Sequence, residues 1–151
     1  MSEEALRRIR RTARILLLGP DDLLLLFRYI APGFDPFWIM AGGECDAHED
    51  FPGAARRELL EETGCEARAI EPIGMIHPNP AIQSNACWSF VARGVREVAT
   101  PTLDAAEDID VVRLPLAEIP ARIAAGEVRH SLVVVAFAWL LGLRTPVGSV
   151  D

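Results

Sequence analysis

Three glutamates near the middle of the chain have the spacing of a helical turn. Glu58, Glu61 and Glu62 are three and four residues apart, so on an α-helix they share one face. Carboxylates on one stripe repel one another, and a bound divalent cation removes that repulsion. Mg²⁺ takes oxygen ligands, keeps several waters and suits a partner that carries phosphates, and Mn²⁺ is a substitute for it. The stripe therefore predicts a magnesium site; a solvated acidic helix face is the alternative.

The residues that flank the stripe indicate where its helix begins and ends. Pro52 suits the first turn, where its missing N–H costs no hydrogen bond, and Gly64 suits the position just past the last turn. Ala54 and Ala55 project near the side of Glu58, and their small side chains would let a ligand or a second layer approach closely. We expect a helix between Pro52 and Gly64.

The segment from Gly43 to Cys65 resembles the Nudix box. That pattern is a glycine, five residues, a glutamate, seven residues and then Arg-Glu-U-x-Glu-Glu-x-Gly-U, where U is a bulky apolar residue. The chain fills every fixed position, with Gly43, Glu49, Arg57, Glu58, Glu61, Glu62 and Gly64. Cys65 replaces the usual aliphatic residue, and Ala41 stands where a proline often precedes the paired glycines. We interpret both departures as packing changes.

This resemblance implies a fold and a reaction. The fold class is α/β, an α/β/α sandwich with a mixed β-sheet. The reaction is hydrolysis of a nucleoside diphosphate linked to another group, by attack of water on a phosphorus of the diphosphate. Divalent ions screen the phosphates, orient the electrophile and lower the pKa of a bound water.

Within the box we assign roles to individual residues. Glu58 and Glu62, one helical turn apart, are the predicted metal ligands, and Glu61 completes a second site or binds through water. The backbone carbonyl of Gly43 is a further ligand by family resemblance. Arg57 is predicted to orient the carboxylates by pairing with neighbouring acids; a purely structural salt bridge is the alternative.

The resemblance leaves two sources for the general base, the group that takes a proton from the attacking water. One is a box glutamate such as Glu61, and the other is an acid in a later loop. We favour Glu107, because its place ahead of the run 111–116 resembles the family's late glutamate. A solvated turn residue is the alternative interpretation of Glu107. A base must reach the water directly or through one intervening molecule.

The region after the box supplies candidate substrate-binding residues. Pro80 lies 15 residues past Cys65, which resembles Nudix enzymes that act on ADP-ribose. Some polar side chains could bind ribose or phosphate and some aromatic rings could stack on a base. The polar candidates are His77, Asn79 and Asn85, and the aromatic candidates are Trp88, Trp38 and Phe34. Core packing is the alternative for each aromatic residue.

Composition and charge predict the general class of protein. With 151 residues, half of them hydrophobic, residues 1–151 suit a single domain with its own core. A formal net charge of −7 argues against binding nucleic acid as a polymer, but not against a single nucleotide as substrate. Three cysteines without zinc or CxxC spacing indicate reduced thiols. The charged residues 1–11 lack the pattern of a signal peptide, so we predict a cytoplasmic location.

Strand and helix patterns alternate along the chain. We predict helices over the box segment, 116–125 and 128–143, and a loop at Gly42 and Gly43. The predicted strands are 14–18, 23–28, 37–40, 67–76, 86–92 and 109–114, the first two joined as a hairpin through 19–22. The arginines at 7, 8, 10, 11 and 14 favour a solvated N-terminal helix or arm over a phosphate contact.

The helix over 128–143 is strongly apolar. It is too short to span a bilayer, so we predict no membrane partner. Its broad apolar surface suits a core layer, and a homodimer interface is a further use for it.

The leading functional hypothesis is a Mg²⁺-dependent pyrophosphohydrolase that acts on ADP-ribose or an NDP-sugar. One alternative is a house-cleaning (d)NTP pyrophosphohydrolase, which releases pyrophosphate from a triphosphate. A second alternative is a nucleotide-sensing module on a Nudix scaffold that has lost catalysis. The complete set of box glutamates favours an enzyme over a sensor.

Overall fold

The structure is a computed structural model, and it describes residues 10–30, 32–103 and 109–143. Seven strands and three α-helices lie within these ranges. In chain order they are β1 (Arg10–Leu18), β2 (Leu23–Tyr29), β3 (Phe37–Ile39), β4 (Ala41–Glu44), α1 (Phe51–Thr63), β5 (Cys65–Ile76), β6 (Asn85–Glu97), β7 (Ile109–Pro115), α2 (Ile119–Ala124) and α3 (Ser131–Leu140). Short 3₁₀ helices occupy Pro20–Asp22 and Leu116–Glu118.

The seven strands form one mixed sheet. Its main path runs β3-β2-β1-β6-β5, while β4 pairs with β1 and β7 pairs with β2. The long pairing between β1 and β6 is parallel, and the other strand pairs are antiparallel. The predicted mixed sheet is therefore confirmed, as is the hairpin of β1 and β2.

Strands β1 and β2 diverge soon after the turn that joins them. They pair only through Leu17 with Leu25 and Leu18 with Leu24. Beyond that point the free edge of β1 pairs with β4, and the free edge of β2 pairs with β3. Met40 alone separates β3 from β4 in the chain. We call this divergence the fork.

Helices cover both faces of the sheet. Alternate residues of β1 point to opposite faces: Ala13 and Ile15 pack in the same buried cluster as Leu59 of α1. Leu16 packs in the second cluster with Phe137 of α3. Because β1 is apolar on both sides, it requires a helical layer on each face. This arrangement confirms the predicted α/β/α sandwich.

Several predicted elements are corrected by the structure. The segment 41–44 is a strand rather than a loop, because its backbone pairs with residues 12–15 of β1. Arg10, Arg11 and Arg14 belong to β1, so the helix or arm predicted for them is wrong; residues 7 and 8 lie outside the described residues. The apolar C-terminal helix is shorter than predicted, at 131–140. None of the described helices has the length and apolar character to cross a bilayer.

Candidate active site

Helix α1 carries the three glutamates and is fixed at both ends by its own sequence. The Asp50 side chain caps the first turn by accepting a 2.7 Å hydrogen bond from the N–H of Gly53. Pro52 lies in the first turn, and Gly64 ends the helix in the left-handed conformation, with φ 69°. Both predicted helix boundaries are confirmed. The helix therefore presents its acidic stripe from a defined start and end.

The acidic stripe lines a cavity at the fork. Glu58, Glu61 and Glu62 border a space of about 260 Å³, together with Arg14 and Met40. Phe27 of β2 and its pairing partner Ile39 of β3 form part of the apolar wall. The structure thus brings the three predicted acids to one concave surface, the usual setting of a small-molecule site. We call it the glutamate cavity.

The glycine pair of β4 lets the strand approach α1 closely. The N–H of Gly42 donates a 2.8 Å hydrogen bond to the Glu62 carboxylate. A Cβ on Gly42, whose φ is 142°, would lie 2.8 Å from the Cα of Arg14, and a Cβ on Gly43 would overlap the Glu58 carboxylate. Glycine at both positions therefore allows β4 to hold two of the predicted metal ligands in place.

Arg57 joins the acids on both sides of the stripe. Its Nε and Nη2 each donate a 3.0 Å hydrogen bond to the Glu49 carboxylate, in bidentate geometry. Its Nη1 donates to Glu58 at 3.0 Å and to Glu61 at 3.2 Å. Nη2 also donates to the carbonyl of Glu44 at 3.0 Å. Arg57 thus pairs with neighbouring acids as predicted, with Glu49 in the loop before the helix and with Glu58 and Glu61 on the helix.

This pairing shifts proton affinity within the network. The hydrogen bond from Arg57 lowers the pKa of the Glu49 carboxyl, with further help from the N–H of Asp46. In return, Glu49 first and Glu58 next raise the pKa of the Arg57 guanidinium. Both groups are therefore charged at neutral pH, and the guanidinium stays beside the stripe as a fixed positive charge.

The donor set fits a hard divalent cation in its chemistry. Carboxylates from Glu58, Glu61 and Glu62 and the carbonyl of Gly43 are all oxygen ligands, the type that Mg²⁺ prefers. Within the ranges that the structure describes, no three acid, histidine or cysteine side chains already converge as a metal-binding group. Binding would therefore bring the carboxylate oxygens closer together than they lie in this structure.

The predicted polar substrate-binding residues lie together at another part of the sheet. His77 Nδ1 is 3.1 Å from the carbonyl of Asn85, and Asn79 accepts backbone hydrogen bonds within the same β5–β6 loop. Asn85 pairs with Arg10 on β1, whereas Gly42 pairs with Arg14. Four residues of strand separate the two places by about 13 Å. The structure therefore groups these residues with one another rather than against the carboxylates.

The predicted aromatic residues take different positions. Trp38 is 8% exposed and packs in the α3-side cluster, so it presents little surface to a ligand. Trp88 is half-buried, with its ring centroid 6.2 Å from that of Phe51. Phe34 is 75% exposed. Glu107, the predicted general base, lies outside the described residues.

Two residues that the sequence did not single out as ligands line cavities at the fork. Arg14 borders the glutamate cavity, and its Nη1 donates a 3.2 Å hydrogen bond to the carbonyl of Gly42. His130 immediately precedes α3 and borders a neighbouring cavity that also contains Arg14. The arginine run offered a weak signal for Arg14. A lone histidine before an apolar helix offers none.

An α/β/α sandwich with an acidic helix beside a forked mixed sheet defines a class of small α/β domains with a candidate cation site. Comparison with known families identifies which class this is. The model of the NUDIX domain matches residues 8–133 of the chain. The chain therefore belongs to the NUDIX domain family, and the family predicted from the box is confirmed.

Three individual proteins illustrate the similarity. The chain is 28% identical over 125 residues to an ADP-ribose pyrophosphatase of Mycobacterium tuberculosis, covering 80% of this chain and 60% of that protein. It is 30% identical over 135 residues to an RNA pyrophosphohydrolase of Afipia carboxidovorans, covering 74% of this chain and 80% of that protein. The crystal structure of an ADP compounds hydrolase superposes with a TM-score of 0.77 at 24% identity, covering 89% of this chain and 72% of that one. That last likeness shows the fold.

Proposed function

We propose that the chain is a Mg²⁺-dependent pyrophosphohydrolase that cleaves the diphosphate of a nucleoside diphosphate derivative such as ADP-ribose or an NDP-sugar. The observation that carries this proposal is the position of Glu58, Glu61 and Glu62 along the wall of one cavity, with Arg57 bonded to two of them. The similarity to an ADP-ribose pyrophosphatase supports the choice of a diphosphate substrate.

In this proposal the glutamate cavity holds the metal. Glu58 and Glu62 are the main ligands, and Glu61 and the carbonyl of Gly43 complete the set. When bound there, Mg²⁺ would neutralise the charge of the phosphates and make a bound water more acidic. A diphosphate needs this neutralisation, because the unscreened acidic stripe would repel it.

The chain's own side chains position the reacting groups. Arg57 holds Glu58 through one hydrogen bond and is itself fixed by the bidentate contact with Glu49. This arrangement limits the rotation of the acids and keeps their oxygens near the cavity, which is the positioning that phosphoryl transfer requires. Arg57 is therefore proposed as a positioning residue.

The general base has two proposed candidates. Glu61 lines the cavity and its side chain is 53% exposed, so it is accessible to a water in that space. Glu107 is favoured by its resemblance to the family's late glutamate. Replacing the true base by glutamine should lower kcat by about 10²–10⁴-fold with little change in substrate binding. Glu61→Gln and Glu107→Gln, compared by single-turnover kinetics and substrate titration, identify which of the two it is.

A second candidate activity is release of pyrophosphate from a triphosphate. The similarity to an RNA pyrophosphohydrolase favours testing it, as a (d)NTP or a 5′-triphosphate end. The products distinguish the activities: ADP-ribose yields AMP and ribose 5-phosphate, whereas a triphosphate yields a monophosphate and pyrophosphate. A sensor without catalysis would give neither set of products.

The deciding experiment is a substrate panel with product identification. ADP-ribose, an NDP-sugar, a dNTP and a 5′-triphosphate RNA are each incubated with Mg²⁺ or with a chelator, and products are separated by chromatography. We expect diphosphate cleavage that depends on Mg²⁺ and is reduced about 100-fold or more in Glu58→Gln and Glu62→Gln. Glu66→Gln is the control, because that side chain pairs with Arg96 at the surface. Turnover unchanged by the chelator, or full activity of both variants, would contradict the proposal.

A further inference from the structure

Arg11 of β1 contacts the start of helix α1 from the sheet. Ala13, two residues further along β1, packs in the α1-side cluster, so the Arg11 side chain lies on the same face. Its Nη1 donates a 3.0 Å hydrogen bond to the carbonyl of Glu49, and its guanidinium carbon lies 4.6 Å from the centroid of the Phe51 ring. Asp50, which caps α1, lies between these two residues. Arg11 therefore holds the chain on both sides of the helix cap.

The main chain of Arg11 holds the beginning of the loop that leads to this helix. The loop, residues 45–50, connects β4 to α1. The N–H of Cys45 donates a 2.7 Å hydrogen bond to the carbonyl of Arg11. Within the loop, the N–H of Glu49 bonds to the carbonyl of Asp46 at 3.1 Å. Arg11 thus ties a compact loop to β1 near both of its ends.

Glu49 connects this anchor to the acidic stripe. Its carboxylate accepts two hydrogen bonds of 3.0 Å from Arg57, and its side chain is only 18% exposed, so solvent screens the pair weakly. Nη1 of Arg57 in turn bonds to Glu58 and Glu61. The contacts form a continuous path from β1 to the stripe, through Arg11, Glu49 and Arg57.

The two side-chain contacts of Arg11 require the shape of a guanidinium. This planar group can lie over an aromatic ring and donate a hydrogen bond from its edge at the same time, whereas a lysine ammonium is a compact charge on a flexible stem. Phe51 is 6% exposed and packs in the α1-side cluster, so its ring is a fixed support. Arg11 therefore holds the carbonyl of Glu49 from a rigid surface.

We propose that Arg11 is a positioning residue for the metal site. It holds the loop 45–50 against β1, and this places the Glu49 carboxylate where it fixes Arg57 beside Glu58 and Glu61. Arg11 precedes the box segment in the chain, and the sequence predicted only a solvated helix or arm for it. This inference rests on the proposed function, because the site that Arg11 positions is the proposed magnesium site.

Turnover of ADP-ribose measured against Mg²⁺ concentration gives the first test. Arg11→Met keeps an unbranched apolar stem beside Phe51 but removes the donor and the charge. We expect the Mg²⁺ concentration for half-maximal turnover to rise about tenfold, because the stripe is held less firmly, while KM at saturating Mg²⁺ changes by less than about twofold. Arg96→Met is the matched control, because that exposed arginine pairs with Glu66 at the surface. A wild-type Mg²⁺ response in Arg11→Met would overturn the proposal.

A double-mutant cycle tests whether the effect of Arg11 passes through Arg57. If it does, adding Arg11→Met to Arg57→Met should raise the required Mg²⁺ concentration by less than about twofold more, because the path is already interrupted. A further rise close to that of Arg11→Met alone would overturn the proposal, since Arg11 would then act independently of Arg57.

The side-chain N–H of Arg57 provides a readout that does not depend on activity. In metal-free protein labelled with ¹⁵N in arginine, its Nε–H signal is assigned by its absence in Arg57→Lys. We expect this proton to exchange with water about tenfold faster in Arg11→Met than in the wild type, because the carboxylate that accepts it is less fixed, and at the wild-type rate in Arg96→Met. Arg11→Lys should also accelerate the exchange. An unchanged rate in Arg11→Lys would overturn the proposal even if Arg11→Met fails to fold.

The exchange measurement separates this inference from the function on which it rests. If the wild-type protein cleaves ADP-ribose but Arg57 Nε–H exchanges equally in the wild type and in the Arg11 variants, the positioning proposal alone is wrong. If the exchange is faster in those variants but no diphosphate or triphosphate is cleaved, the path from Arg11 to Arg57 stands and the proposed function is wrong.

Discussion

Two arginines of the same chain, Arg57 and Arg14, lie on either side of the fork in opposite situations. Arg57 donates hydrogen bonds to three carboxylates and a carbonyl, and its side chain is 27% exposed. Arg14 donates one to a carbonyl, and its Nε is buried without a partner among the described residues. The α1 side of the fork is therefore internally paired, whereas the α3 side retains unused hydrogen-bonding capacity.

The two sides of the fork therefore differ in how their charged groups are paired. On the α1 side, charged partners fix one another before any ligand arrives, which suits a place where charge must be held in a set geometry. On the α3 side, a buried donor without a partner destabilises the ligand-free protein, and a ligand that satisfies it recovers that free energy. The α1 side is therefore the one on which the proposed metal chemistry depends.

Removing the guanidinium that organises the α1 side should have the largest effect. Arg57→Met leaves Glu49, Glu58 and Glu61 without their common partner. The loss is about 1.5–3 kcal/mol for each bond to the mostly buried Glu49 and Glu58, and less than about 1 kcal/mol for the exposed Glu61. We expect kcat for ADP-ribose to fall about 100-fold, because the acids are no longer held in place. Steady-state kinetics at saturating Mg²⁺ measures the change.

A lysine at the same position separates charge from geometry. Arg57→Lys keeps the positive charge but cannot form the bidentate contact with Glu49, so we expect it to recover only a small part of the lost turnover. If Arg57→Met keeps a kcat within about twofold of the wild type, Arg57 is a structural salt bridge, the alternative interpretation of its sequence position.

A methyl group at Gly43 of β4 tests the α1 side of the fork through its contact with Glu58. The added Cβ of Gly43→Ala would overlap the Glu58 carboxylate, so the side chain must rotate away from its present position. We expect about a tenfold weaker response to Mg²⁺, since one predicted ligand is displaced. Titration of activity against Mg²⁺ concentration measures it. Gly19→Ala is the control, because its added Cβ would meet only the carbonyl oxygen of Leu23, at 3.4 Å. An unchanged Mg²⁺ response in Gly43→Ala would contradict the role of Glu58 as a metal ligand.

The internally paired side was largely predictable from the sequence, because its information is local. Pro52 and Gly64 mark the ends of α1, and the spacing of its glutamates fixes their common face. The family pattern adds Gly43 and Glu49 at fixed distances along the chain. Each of these signals is complete within one segment of 23 residues, from Gly43 to Cys65.

The α3 side was not predictable in the same way. Arg14, Met40 and His130 come from three distant parts of the chain and meet only because the sheet forks. The fork itself depends on β4, a four-residue strand whose two glycines have low strand propensity and were therefore predicted as a loop. Its strand structure comes from pairing with distant residues of β1. Such pairing cannot be recognised from the periodicity of a single segment.

A change in the packing of α3 should disturb stability more than chemistry. A Cβ on Gly74 would lie 2.5–2.6 Å from ring atoms of Trp139, so Gly74→Ala forces the indole and the helix away from β5. Overpacking of this kind costs about 1–3 kcal/mol of unfolding free energy. We expect kcat to change by less than about twofold, because the glutamate cavity is on the other face. Denaturant unfolding and kinetics, measured on the same sample, would contradict this separation if turnover fell while stability did not.

The smallest expected effect is a pH dependence that comes from His130. Since burial and Arg14 lower the pKa of His130 in the folded state, the unfolded chain binds more protons there at mildly acidic pH. Stability from this group is therefore present above the ordinary histidine pKa of about 6.5 and is lost as the pH falls below it. His130→Gln lacks a titrating ring, so its unfolding free energy should fall less than that of the wild type on going from neutral to mildly acidic buffer.

Urea unfolding at a series of pH values measures the unfolding free energy of both proteins, with His48→Gln as control. Parallel curves for wild type and His130→Gln would mean that the imidazole is not held neutral beside Arg14, and the contrast between the two sides of the fork would then rest on Arg14 alone.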